Sequence, residues 1–199
     1  MAEHNLAMTL REEGRIDDAL AAHNRAVELI AGLTKISNSR DAWSFYHRAR
    51  TERAWTMARV SGRSEEAIKE LESAIAGWDR INKLLGENPT DLERKSVASL
   101  YCGRIKMQLG QREAAAKDLT TTTGIMERLV GKSPEIPVYR YDLGRAYTAL
   151  GQLAADPQEA AGLYRKAREM LDVATRQYPE NALYQKALKE LDALTAARP

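Results

Sequence analysis

The chain has 199 residues, with 30 lysines and arginines against 28 aspartates and glutamates, a formal net charge of +2. This balance provides no strong positive field, so we expect no nucleic-acid partner. The one cysteine, Cys102, excludes an intrachain disulfide, and no apolar run reaches the roughly 18 to 20 residues of a membrane span. The amino terminus lacks the basic and apolar segments of a secretion signal, and we therefore expect a cytoplasmic protein without membrane insertion.

Glycines recur along the chain at Gly14, Gly62 and Gly110, 48 residues apart, with a shifted fourth copy at Gly151. An apolar stripe at helical spacing precedes each glycine and a second stripe follows it, so each copy predicts a helical hairpin. The hairpins are predicted over residues 1–36, 40–86, 90–131 and 135–178, and a capping helix over 181–197. We expect one all-α domain over residues 1–199.

Capping residues predict several helix starts independently of the apolar stripes. Ser64 precedes two glutamates, Thr90 has a glutamate three residues later, and Asp156 precedes a proline. Such side chains accept hydrogen bonds from the unpaired N–H groups of a first helical turn. Asn181 is the corresponding start signal for the last helix.

The repeated pattern resembles the tetratricopeptide repeat (TPR) family. The family places a large residue before a small one, then an apolar residue, a turn glycine and two alanines at set distances. In this chain the matching residues are Leu6, Ala7, Leu10, Gly14, Ala19, His23 and Ala26; Ala54, Trp55, Ala58, Gly62, Ala67, Leu71 and Ala74; Cys102, Gly103, Lys106, Gly110, Ala115, Leu119 and Thr122; and Leu143, Gly144, Tyr147, Gly151, Ala160, Tyr164 and Ala167. The resemblance implies a right-handed α-solenoid of about four hairpins plus the capping helix.

The period departs from the family in length. A standard repeat has about 34 residues, so the 48-residue step adds roughly four helical turns per hairpin. Such long repeats resemble those that follow the catalytic domain of some bacterial serine/threonine kinases, although no kinase motif occurs here. The first predicted helix is also about ten residues shorter than its counterpart near Asp41, and we infer a fragment of a longer protein.

The resemblance also implies a ligand groove, because the first helices of TPR hairpins line a concave face. Carried over by motif position, the groove residues are Glu52, Arg53, Thr56, Arg59, Tyr101, Arg104, Gln108, Tyr141, Asp142, Arg145 and Thr148. Arg104 and Arg145 occupy equivalent places, and two guanidinium groups suit carboxylates or phosphates of an extended peptide. The alternative interpretation is that both arginines are solvated and paired with neighbouring acids.

A run of aromatic residues, Trp43, Phe45, Tyr46 and His47, lies on the extended part of a first helix. One interpretation is an aromatic pocket for a partner. The other is core packing against Ile30, Leu33 and Ile36 of the preceding helix, with at least one ring exposed.

No catalytic or metal-binding pattern is present. The three histidines are scattered, Cys102 occupies a packing position, and no metal-ligand spacing occurs, so we expect no enzyme activity, metal or cofactor. Two functions remain: a scaffold that binds a protein or peptide partner, as the docking region of a signalling protein such as a kinase, or a self-association module that forms a homodimer.

Overall fold

The computed structural model describes residues 2–37 and 39–196, so the predicted limits at residues 1 and 197 lie outside it. In these ranges the chain forms nine α-helices and no β-strand, which confirms the all-α prediction. The helices are α1 (Ala2–Glu12), α2 (Ile16–Ile36), α3 (Arg40–Met57), α4 (Ser64–Leu85), α5 (Pro89–Gln108), α6 (Arg112–Lys132), α7 (Pro137–Leu153), α8 (Pro157–Gln177) and α9 (Ala182–Ala196).

The chain divides into two compact units, residues 1–105 and 106–199, and the division falls near the end of α5. In the first unit α2 packs between α1 and α3, and α3 packs on α4. Trp78 is fully buried at the centre of this unit, in a core that it shares with Leu71, Ile81 and Ile105. In the second unit α7 packs between α6 and α8, and α9 covers α8.

Three repeated glycines form the predicted turns. Gly14, Gly62 and Gly110 have φ angles of 79°, 78° and 74°, in the left-handed region that residues other than glycine rarely adopt. After α1, the N–H of Arg15 donates to the carbonyl oxygen of Leu10 at 2.9 Å. After α5, the N–H of Gln111 donates to the carbonyl oxygen of Lys106 at 2.9 Å. These bonds across five residues are Schellman closures, which satisfy the last carbonyls of each helix.

The prediction of a fourth turn at Gly151 is wrong. Gly151 lies inside α7 and is buried, and a Cβ there would come 2.6 Å from Cε1 of Tyr164. The chain turns later, at Ala154–Asp156, where the Asp156 side chain accepts from the N–H of Gln158 at 3.0 Å. The glycine therefore admits the Tyr164 ring between two helices.

Two of the predicted helix starts are confirmed and two are corrected. Asp156 caps α8, and the Asn181 side chain accepts from the N–H of Leu183 at 3.0 Å at the start of α9. The cap of α5 is Asn88 instead of Thr90, because the Asn88 side chain accepts from the Thr90 N–H at 2.9 Å. Ser64 is the first residue of α4, and the residue before it makes no side-chain cap.

Small residues are buried among the packed helices. Ala19, Ala67 and Ala115, at the 48-residue step, have no exposed surface. At Gly144 in α7, a Cβ would lie 2.6 Å from Cγ of Leu171 and 3.2 Å from the carbonyl oxygen of Ala167, both in α8. The repeat pattern is therefore a pattern of helix contacts as well as of turns.

The three histidines, His4, His23 and His47, are all buried in the first unit. Both ring nitrogens of His23 are buried without a hydrogen-bond partner among the described residues, as is Nδ1 of His47. Burial lowers the pKa of His23 to about 4, and burial together with the Arg50 charge lowers the pKa of His47 to about 4. Both side chains are thus neutral at pH 7.

Replacing Gly144 by alanine should destabilise the protein, because the new Cβ overlaps Leu171 and approaches the α8 backbone. We expect a loss of about 1–3 kcal/mol in the free energy of unfolding, measured by urea denaturation. Gly162→Ala is the matched control, since Gly162 lies in α8 with open space around it. That change should stabilise the helix by roughly 0.5–1 kcal/mol. Equal effects of the two changes would contradict the close α7–α8 contact.

Stability should fall as the pH is lowered from about 6.5 to about 4. In this range the unfolded chain binds protons at His23 and His47 that the folded chain does not, so the free energy of unfolding rises with pH. Each histidine contributes roughly 1–3 kcal/mol. The free energy of unfolding of the His23→Leu variant, measured by urea denaturation, should depend less steeply on pH, because the variant lacks one of these histidines. The carboxylates are the same in both proteins and do not contribute to the difference. An unchanged slope of the free energy of unfolding against pH would exclude the contribution of His23.

Candidate functional site

Helix α3 is linked by side chains to α1 on one side and to α5 on the other. Nη1 of Arg11 in α1 donates to Oε2 of Glu52 at 2.8 Å, and the Trp55 ring of α3 stacks on Tyr101 of α5. Nη1 of Arg40 also donates to Oδ2 of Asp91 at 2.6 Å, near the start of both helices. We call the surface of α3 with the adjoining parts of α1 and α5 the odd-helix face.

The centre of this face is an aromatic pair with two arginines beside it. The rings of Trp55 and Tyr101 are 4.4 Å apart and 11° from parallel. The guanidinium of Arg104 lies 5.5 Å from the Trp55 ring centroid, and that of Arg59 lies 5.9 Å from it. We call these four residues the cation–aromatic cluster. Trp55 is half-buried and Tyr101 is buried, so the indole is the ring that the cluster presents to solvent.

Arg59 lies at the exposed edge of the cluster. It donates to the main-chain oxygen of Arg11 at 3.5 Å, and it forms no ion pair with any residue that the structure describes. Partial burial and the positive charge of Arg11 lower the pKa of Arg59, but an arginine pKa is high enough that the group stays charged. This charge is available to an external carboxylate.

A second contact of the same kind lies nearer the start of the two helices. The Arg94 guanidinium of α5 is 5.3 Å from the Phe45 ring centroid of α3, and its Nη1 donates to Oγ of Ser44 at 2.6 Å. Burial lowers the pKa of Arg94, with Arg48 as the next cause. Phe45 is 37% exposed, which agrees with the expectation that one ring of the aromatic run reaches the surface.

Several predicted groove residues of α3 are engaged inside the fold. Arg53 binds Glu70 of α4, with Nε 3.1 Å from Oε1, and its Nη1 donates to Oδ1 of Asn24 in α2 at 3.4 Å. Thr56 has no exposed surface and donates to the carbonyl of Glu52 at 3.0 Å. These contacts tie α3 to its neighbours.

The remaining predicted residues belong mainly to the second unit. Asp142 is buried and accepts from Nη1 of Arg145 at 3.0 Å, while the Arg145 guanidinium lies 5.1 Å from the Tyr141 ring centroid. Thr148 donates to the carbonyl of Gly144 at 2.8 Å. Gln108 is exposed at the end of α5. Arg145 is thus paired with a neighbouring acid, as the alternative interpretation predicted. Arg104 lies in the first unit.

The sequence reasoning missed Trp55 as a site residue. Trp55 occupies the motif position of Ala7, Gly103 and Gly144, which the pattern reserves for a small side chain. An indole does not fit where Gly144 tolerates no Cβ, so it must lie outside the hairpin contact. That mismatch was the available signal, and the ring lies instead against Tyr101 of α5.

The aromatic run 43–47 packs partly in the core, but not as predicted. The His47 ring centroid lies 5.6 Å from that of Trp78 in α4. Of the three residues expected to cover these rings, Ile30 is half-buried, but Leu33 and Ile36 are 55% and 86% exposed. The extended end of α2 therefore carries uncovered apolar surface.

The residues that the structure describes were also compared with the patterns of metal sites and membrane-spanning helices. Among these residues, no group of three histidine, cysteine or acidic side chains has the arrangement of a metal site. None of the helices described combines the length and apolarity that crossing a bilayer requires.

Residues 113–196 match the family model of the plant-specific mitochondrial import receptor subunit TOM20. This segment begins in α6 and ends with α9, within the second compact unit. No curated protein matches the chain.

Among solved structures, the chain is similar to a crystal structure of a putative kinesin light chain from Podospora anserina with nearly identical TPR-like repeats. The TM-score is 0.55 at 20% sequence identity, and the match covers 98% of this chain and 94% of that chain. At this identity the likeness establishes the fold and nothing further. The chain has the fold of TPR-like helical repeats.

Proposed function

We propose that the chain is a protein-interaction scaffold that binds an acidic, extended peptide segment on the odd-helix face. One observation carries the proposal. Two arginines of α5, Arg94 and Arg104, lie over two aromatic rings of α3, Phe45 and Trp55. The two arginines are ten residues apart in α5, and the two rings are ten residues apart in α3. Ten residues correspond to roughly 15 Å along a helix.

This arrangement suits a peptide because it repeats the same contact along a line. An extended peptide advances about 3.3 Å per residue, so four or five residues span the distance between the two contacts. A guanidinium that lies on an aromatic ring keeps its N–H groups at the ring's edge, where they bind a carboxylate through charge-assisted hydrogen bonds. The rings offer apolar surface to the residues between the acids.

Electrostatics near the cluster favours an acidic partner over a basic one. The nearest acid in the α1–α3 contact, Glu52, is already paired with Arg11 and is buried. Arg59, which has no ion pair among the described residues, therefore keeps its positive charge at the surface beside Trp55. We propose no enzymatic activity, because His23 and His47 are buried and neutral and Cys102 is a buried thiol.

A narrower assignment rests on the sequence pattern. The long repeats support a docking region of a signalling protein such as a bacterial serine/threonine kinase in the cytoplasm, and this stays a prediction. Reading the gene that encodes the chain, together with its flanking sequence, tests it directly.

Peptide selection tests the proposed function. Peptides selected from a random display library on the immobilised chain should be enriched in Asp and Glu. Their affinity should fall at least tenfold in the Arg59→Glu/Arg104→Glu variant, because reversing both charges replaces attraction by repulsion. Binding is measured by isothermal titration calorimetry.

The matched control is Arg165→Glu, an exposed arginine of α8 with no partner among the described residues. It changes the net charge in the same direction but should leave affinity within twofold. Selected peptides that bind the cluster variant as tightly as the parent protein would remove the odd-helix face as the binding surface.

A second function is favoured by the exposed end of α2. Leu29, Leu33 and Ile36 are 65%, 55% and 86% exposed, and they follow one another at helical spacing. The three side chains lie in the second half of α2 (Ile16–Ile36). A second copy of the chain that places the same stripe against this one would bury both, as in a homodimer.

Light scattering distinguishes this self-association. A dimer that uses the α2 stripe should dissociate to monomer in the Leu33→Glu variant, because a carboxylate would be buried at the contact. Leu183→Glu is the control, since Leu183 is similarly exposed, at 49%, on α9. A concentration-independent monomer for the parent chain would exclude the homodimer.

A further inference from the structure

A pocket of about 470 Å³ lies between α3 and α4 in the first unit, apart from the cation–aromatic cluster. Its volume falls in the range of sites that hold small organic molecules. Trp43 and His47 of α3 form one side, and Ile81, Leu84 and Leu85 of α4 form the other. The lining is therefore mainly apolar and aromatic.

The position of the His47 ring depends on Gly77. A Cβ at Gly77 would lie 2.1 Å from Cε1 of His47, so only glycine allows the imidazole to rest on the α4 backbone. The ring is stacked with Trp43, at a centroid distance of 6.0 Å and 25° from parallel. His47 is 6% exposed, and its buried Nδ1 has no hydrogen-bond partner among the described residues. The His47 ring thus forms a buried aromatic side of the pocket.

The two arginines of the pocket differ in their contacts. Arg40 is fully engaged: it binds Asp91, and its Nη2 donates to the carbonyls of Leu85 and Gly86 at 2.7 Å each. These bonds hold the end of α4 against the start of α3. Arg80 is exposed, and no hydrogen bond or ion pair joins it to another described residue. The pocket therefore has one unpaired positive charge beside an apolar lining.

From this geometry we infer that the pocket binds a small carboxylic acid with an apolar body, such as an aliphatic or aromatic acid. The carboxylate pairs with Arg80, and the apolar body lies between Trp43 and the leucines Leu84 and Leu85. Charge complementarity selects an anion, since the other guanidinium is neutralised by Asp91. This inference does not depend on the proposed peptide site.

Octanoate is the probe that tests the assignment, and octanamide is its uncharged counterpart. The chain has three tryptophans, Trp43, Trp55 and Trp78, so its indole N–H groups give three resolvable signals in a ¹H–¹⁵N NMR spectrum. Octanoate should shift the Trp43 signal saturably and leave the Trp55 signal in place. Octanamide should bind at least tenfold more weakly, because it lacks the charge that Arg80 recognises.

Two exposed positions allow substitutions that leave the core intact. Arg80→Glu and Leu84→Glu should each weaken octanoate binding at least tenfold, since Leu84 is 69% exposed and both changes place a negative charge at the pocket. Arg165→Glu and Leu183→Glu are the matched controls and should bind octanoate like the parent chain. Circular dichroism confirms the helix content of all four variants.

The Trp43 and Trp55 signals separate this inference from the proposed function, because each reports on one site. The inference is overturned by the absence of a saturable Trp43 shift, or by equal octanoate affinity in the Arg80→Glu and Arg165→Glu variants. It is also overturned if octanoate has no effect while a selected acidic peptide shifts Trp43, which would assign the pocket to a protein interface.

Discussion

The close approach of paired helices is the constraint on which the rest of this structure depends. Ala19, Ala67 and Ala115 are completely buried, and Gly144 has no room for a methyl group against α8. A small residue at such a contact brings the helix backbones close, so that the side chains around it exclude water. The three buried alanines recur at the 48-residue step of the repeat.

The same constraint explains the position of the cation–aromatic cluster. Trp55 stands where other copies have alanine or glycine, and a large ring is not accommodated in the hairpin contact. It is turned toward α5, where it stacks on Tyr101 and is flanked by Arg59 and Arg104. A departure from the packing rule thus generates a partly exposed aromatic surface with positive charge.

The added length of the helices has a separate consequence. Extra turns place Trp43 and His47 beside the last turns of α4, beyond the part of the hairpin that the motif residues close. There the contact depends on Gly77 and on the Arg40 bonds to the end of α4, and the remaining space is a pocket. At the end of α2, Leu33 and Ile36 are exposed.

The sequence by itself determined the helical content, the three turns and the burial of the repeated alanines, because these follow from local propensity, left-handed glycine and apolar periodicity. It did not determine the role of Gly151, since the sequence does not distinguish a glycine required for close packing from a glycine required for a turn. It also did not show that Arg53 pairs with Glu70 while Arg59 and Arg104 lie on Trp55. Those partners are brought together by tertiary contacts, because the packing of α3 against α4 and α5 decides which acid or ring each of these arginines reaches.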